Sequence, residues 1–240
     1  MVVRKLLIGV GVVVTSSSIY FASVSERSVV TDRKRILLYP LWYESWKGAH
    51  KYADQKKTTT IVTNHPMSRS LNESFSKIKT VGVSNLLIEE ESRFGRRGKN
   101  KLKKISENTK GELVIVHNDI LEKNAQCFAG GHVIVEERIF QMLSEKESRV
   151  VLCHEYAHCI LRHHNEKGFI ANTCLVLHIL ILVLHIPIVI KGLIRYDCKM
   201  IELEADKVGI MLHRACGWED QVFVEAVLKI CGDEDSDGKT

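Results

Sequence analysis

Apolar positions along this chain fall into two long uncharged stretches and several shorter periodic ones. Leu6 to Val24 is a charge-free stretch of nineteen residues. As a helix it is about 28 Å long, close to the hydrocarbon thickness of a bilayer. Gly168 to Ile190 is also uncharged and spans about 34 Å as a straight helix. Between them, Trp42 to Asp54 reads as a helix with aromatic residues on one side. The pattern breaks at Lys56 to Thr60, and a further helix is expected over Ser70 to Ile88. Leu113 to His117 and Phe128 to Val135 are short apolar runs that read as strands, a small hairpin or a sheet edge. Val150, Val151, Ala157, Ile160 and Leu161 recur at helical intervals, and Ser144 and Glu147 just before them have capping-box spacing. The pattern predicts an α+β, mostly α-helical chain. At 240 residues it is long enough for one main domain with a real core.

The first uncharged stretch is expected to be an uncleaved transmembrane helix at the N-terminus, residues 6–24. A signal peptide cleaved near Ser23 or Ser25 is the competing reading. Arg27, Arg33, Lys34 and Arg35 outnumber Arg4 and Lys5, a bias that holds the following domain on the positive side of the membrane. The second stretch contains Asn172, His178, His185 and Pro187, which suit an uninterrupted span poorly. It is expected to be a shallow or re-entrant hairpin, a surface helix pair or a buried core element, with both ends on one side.

Composition narrows the classes further. The formal charge of +5 is modest and does not argue for nucleic acid. Seven cysteines without a CxxC pair form neither a disulfide framework nor a four-cysteine zinc site. Cys153 and Cys159 read as small buried residues. The run Arg93, Arg96, Arg97, Lys99, Lys101, Lys103 and Lys104, broken by Gly95 and Gly98, suits anionic lipid headgroups better than RNA. A solvated loop is the plain alternative.

The chemistry concentrates in His154-Glu155-Tyr156-Ala157-His158, an HExxH pattern inside a predicted helix. Residues four apart lie one turn above each other, so two imidazoles point from one face and can share one zinc ion. Glu155 is placed to take a proton from water at that metal. Three fixed positions also arise by chance in roughly a few chains of this size in a hundred, so a third ligand decides. Glu202 and Asp206, again four apart, offer two carboxylates on one helix face, one to bind metal and one to orient a histidine. An ordinary charged surface, with Glu204 and Lys207 solvated, is the alternative. His164 is a rival ligand at the last position of HExxHxxGxxH. Leu161 stands where that pattern needs glycine, which predicts an uninterrupted helix with His164 on the wrong side. His163 and His164 are expected to cap the helix C-terminus, where positive charge is favoured.

HEYAH followed by Glu202-Leu203-Glu204-Ala205-Asp206-Lys207-Val208-Gly209 resembles the gluzincin peptidases related to HtpX. It is most similar to the mitochondrial inner-membrane metalloendopeptidases of the Oma type. Asp32 to Leu38, Val116 to Asp119, Asn124-Ala125 and Gly130 to Val135 fit the same family in order. The resemblance implies a zincin metallopeptidase domain over residues 33–232, with 169–190 membrane-associated or re-entrant and 233–240 an acidic polar tail. It implies one zinc per chain on His154, His158 and Glu202, with Glu155 as general base and Asp206 behind the ligands. Membrane protein substrates and the lipid bilayer are the implied partners, with homo-oligomerisation open and no nucleic acid. The mitochondrial inner membrane, with the domain facing the intermembrane space, is the implied location; another organellar or endoplasmic-reticulum membrane is the alternative. Ala129 replaces the family's proline, and Glu136-Glu137 replace a Thr-Gly pair. The family's later His-Pro segment has no counterpart, and no histidine follows His213, so the chain reads as shortened at its C-terminus. That departure keeps a second reading open, a zinc-binding but proteolytically silent partner of a complete peptidase.

Overall fold

A computed structural model describes the backbone of residues 15, 20, 22–28, 32–89, 91–118, 125–171 and 190–237, and their side chains except at 89, 91–94, 97, 190–197 and 231–237. Leu6–Val24 and Gly168–Ile190 lie largely outside these residues. Among the described residues no helix is long and apolar enough to cross a membrane.

The chain begins with an antiparallel pair, β1 (Ser25–Arg27) and β2 (Lys34–Ile36). Helix α1 covers Leu41–Thr58, so the break expected from Lys56 comes at the end of the helix. After β3 (Thr60–Ile61), the expected helix over Ser70 to Ile88 is α2 (Ser68–Lys77) and α3 (Val83–Glu89), joined by a π-helical turn at Ile78–Gly82. The basic run is not a loop. It lies on α4 (Glu91–Asn108), which kinks where Gly95 adopts φ 62° and is anchored by buried Leu102 and Ile105.

A four-stranded mixed sheet follows, with β3 beside β4 (Leu113–His117), then β6 (His132–Glu136), then β5 (Ala125–Phe128) at the edge. The single strand expected over Phe128 to Val135 is two strands. Gly130 and Gly131, at φ 94° and 87°, reverse the chain between them, a conformation that a Cβ disfavours. β4 runs parallel to β6, with Leu113 opposite Val133. The apolar runs on these strands are continuous because both faces are covered. Leu113, Ile115, Cys127, Val133 and Val135 join the helical core, while Val116, Phe128 and Ile134 pack on Tyr52 of α1.

After the short α5 (Ile139–Met142), α6 (Glu145–Ile160) runs through the core. Its capping box is present, with Ser144 and Glu147 bonding each other's backbone N–H. Leu152, Cys153, Tyr156, Ala157, Cys159 and Ile160 are buried; each large apolar side chain among them contributes about 1.5–3 kcal/mol. The uninterrupted helix expected through Leu161 does not occur. α6 ends at Ile160, Arg162 adopts φ 62°, and a new helix, α7, covers 163–171. Arg162 is held there by its guanidinium, which donates to Glu44 Oε2 at 2.8 Å and to Tyr39 O at 2.6 Å. α8 (Ile190–Ala215) packs along α6, and α9 (Asp220–Asp237) closes the end of both. Residues 233–237, expected as a polar tail, continue this last helix.

Candidate metal centre

α6 and α8 face each other where their chemistry-bearing residues fall. Ile201, Ala205 and Val208 bury α8 against the core, which turns Glu202 and Asp206 toward the histidines of α6. Gly209 allows the approach, since a Cβ there would stand 3.3 Å from His154 Cα and N.

Three of the predicted residues converge. His158 Nε2 lies 3.1 Å from His154 Nε2 and 3.1 Å from Glu202 Oε2, and His154 Nε2 lies 3.4 Å from that same oxygen. A tetrahedral ion with bonds of about 2.0–2.1 Å places its donors about 3.3 Å apart, so the spacing and the two-imidazole, one-carboxylate set fit zinc with one position left for water or substrate. Asp206 Oδ1 sits 2.8 Å from His154 Nδ1, the nitrogen that faces away from the other donors. It is thus placed to orient that ring.

Glu155 projects from the same turn to the sheet edge, where its Oε2 accepts the backbone N–H of Cys127 at 2.8 Å. Burial raises its pKa, opposed by the neighbouring His154 and His158. Burial alone would lower the pKa of His154, but hydrogen bonds to Asp206 and Glu202 raise it to about 10. Hydrogen bonds from His154 and His158 hold the Glu202 carboxyl far below the usual range, and Lys167 adds to this. The pocket therefore favours positive charge, which a divalent ion supplies as well as a proton.

His164 is not among the convergent donors. Its Nε2 is buried without a hydrogen-bond partner among the described residues. The expectation that His163 and His164 are charged helix caps fails, because burial pushes them down to about 4 and about 3. Glu204 is not solvated either; it is 2% exposed.

Sequence reasoning missed four groups near the centre. Lys167 Nζ pairs with Glu202 Oε1 at 2.9 Å, away from the oxygen that meets the histidines. His163 Nδ1 meets His158 Nδ1 at 2.8 Å, and Glu204 and Arg33 lie behind it. The only sequence signal for these was a histidine five residues after His158, legible only if the helix breaks between them. Cys153 and Cys159 are buried, as expected of small core residues.

Comparison with curated proteins finds no match. The profile of peptidase family M48 matches residues 91–227, more than half of the chain, including His154, Glu155, His158, Glu202 and Asp206. The chain belongs to peptidase family M48, a family of metallopeptidases.

Proposed function

We propose that this chain is a zinc-dependent endopeptidase of the Oma type, acting on membrane protein substrates in mitochondrial inner-membrane quality control. The observation that carries the reading is the convergence of His154 Nε2, His158 Nε2 and Glu202 Oε2 beside the Glu155 carboxylate. Zinc held by these three residues would supply Lewis acidity, to activate a water and polarise the scissile carbonyl. Glu155 acts as general base. The Cys127 N–H holds its Oε2, leaving Oε1 to take a proton and return it to the leaving amine. Edge strand β5 carries that N–H, and an extended substrate added along this edge would lie beside the base.

Membrane association is supported by the two uncharged stretches and by α1. Trp42 and Trp46 are 70% and 53% exposed, and such amphipathic rings favour the bilayer interface. Tyr39, at the start of the same aromatic row, lies within 3.8 Å of a Cβ built at Gly168, where the second uncharged stretch begins. The inner mitochondrial membrane and an intermembrane-space orientation rest on the family resemblance alone.

The test is zinc content and cleavage of an unfolded substrate protein, with and without a chelator. Wild type should carry one zinc and cleave. Glu155→Gln should keep zinc and lose about 10²–10⁴-fold in rate, the usual contribution of an acid–base group. His154→Ala should lose the metal. A Glu155→Gln variant as active as wild type would overturn the mechanism. A zinc-loaded wild type that cleaves nothing would favour the silent regulator.

A further inference from the structure

His158 contributes Nε2 to the donor cluster, so its Nδ1 needs a partner that holds the ring in one orientation and one tautomer. For the other histidine, Asp206 has that place. For His158 the partner is another imidazole. His163, fully buried at the first turn of α7, brings its Nδ1 to 2.8 Å from His158 Nδ1. Its Nε2 points to Glu204 Oε2 at 3.5 Å, the outer edge of hydrogen-bond reach, and has no closer partner among the described residues. Glu204 in turn accepts from Arg33 Nη2 at 3.0 Å and from the Ser28 hydroxyl, and Arg33 also pairs with Glu166.

Only one arrangement of protons satisfies this row. If His163 donated from Nδ1, His158 would carry its proton on Nε2, the atom that must offer a lone pair to the metal. His163 Nε2 would then present a second lone pair to a carboxylate. With the protons reversed, both conflicts vanish: His158 Nδ1–H donates to His163 Nδ1, and His163 Nε2–H faces the Glu204 carboxylate at 3.5 Å. An imidazolium at His163 is unsuited, because it would donate from Nδ1 and so restore the first conflict at His158.

We infer that His163 is a positioning residue for the proposed zinc site: as a neutral Nδ1 acceptor backed by Glu204, it fixes His158 in the tautomer that offers Nε2 to the metal. The inference rests on the metal centre proposed above. It also gives the break at Leu161–Arg162 a purpose. In a continuous helix, residues five apart do not meet on one face; the left-handed Arg162 lets α7 return His163 to the ring of His158.

The experiment compares zinc affinity, by competition with a chromogenic chelator, in the full chain and two variants. His163→Leu removes the acceptor at similar volume. His163→Asn sets an amide oxygen near the place of Nδ1. Unfolding in excess chelator reports whether each variant folds without metal. Zinc affinity should fall about 10–100-fold in His163→Leu, as for other residues that orient a ligand. His163→Asn should recover most of that loss. A His163→Leu protein that binds zinc as tightly as wild type overturns the inference and leaves the metal site standing. So does an equal loss in two folded variants, because the acceptor would then be irrelevant. Wild type without zinc would overturn the site itself. The proton positions are read without any variant from 15N-histidine NMR of the zinc-loaded protein. Protons on His158 Nδ1 and His163 Nε2 are expected, and a proton on His163 Nδ1 refutes the assignment.

Discussion

Glu202 divides its carboxylate between two partners, Oε2 toward the histidines and Oε1 toward Lys167. That division makes it the third donor, and it predicts how metal content responds to substitution. Glu202→Ala should weaken zinc binding sharply, since it leaves two imidazoles. Asp206→Asn should cost about 10–100-fold, because it acts only through the ring of His154. His164→Ala should leave zinc stoichiometry unchanged. Metal analysis after dialysis against a weak chelator checks all three; loss of zinc from His164→Ala with retention in Glu202→Ala would move the site to another ligand set. Glu202 and Asp206 were legible as a pair because a helix repeats every four residues and needs no tertiary knowledge. His163 and Glu204 were not, because their partners arrive from other elements. A carboxylate two residues from a ligand reads as solvated until Arg33 and Ser28 are seen to cover it.

The N-terminus of α6 is held by two elements at once. Ser144 caps the helix and Glu147 returns to the Ser144 N–H at 2.8 Å, while Lys229 of α9 reaches Glu147 at 2.6 Å. Burial would raise the pKa of Glu147, but Lys229 and Ser144 together hold it down to about 2. An unfolded glutamate titrates near about 4.3. The folded value is the lower, so this carboxylate stabilises the fold above about pH 4.3 and the contribution is lost as pH falls toward 2. In chelator, urea unfolding should show Glu147→Gln less stable than wild type at pH 7, with the gap closing on acidification through that window. Ser144→Ala should cost about 1 kcal/mol. A gap that stays constant down to pH 3 would mean that Glu147 acts by shape and not by charge. This cap was legible because its signal is local. The turn at Arg162 was not, since arginine carries no preference for positive φ and is kept there by Glu44 and Tyr39 from distant sequence. The parallel pairing of β4 with β6 is non-local in the same way, whereas Gly130-Gly131 did carry a signal for the turn that divides β5 from β6.

The arrangement of α6, α7 and α8 constrains what the second uncharged stretch is able to do. α7 follows α6 after a two-residue turn, and its Lys167 pairs with Glu202 of α8 at 2.9 Å. Glu202 in turn meets His158 of α6 at 3.1 Å. The chain therefore leaves this site through α7 and comes back to it through α8, with Gly168 to Ile190 between them. A single crossing by that stretch would put His158 and Glu202 on opposite faces of a bilayer, where no ion could bridge them. If the stretch enters lipid, it must enter and return on one face. Single-cysteine substitutions at Ala171 and Lys199, both exposed, read this directly in sealed vesicles treated with a membrane-impermeant thiol reagent. The remaining cysteines are replaced by serine or alanine, and zinc retention serves as the control for the fold. Both positions should label from the same side, and both should be protected from the other. Labelling from opposite sides in a protein that still holds zinc would exclude Glu202 as the third ligand, and with it the pairing of α6 and α8 on which the catalytic reading depends.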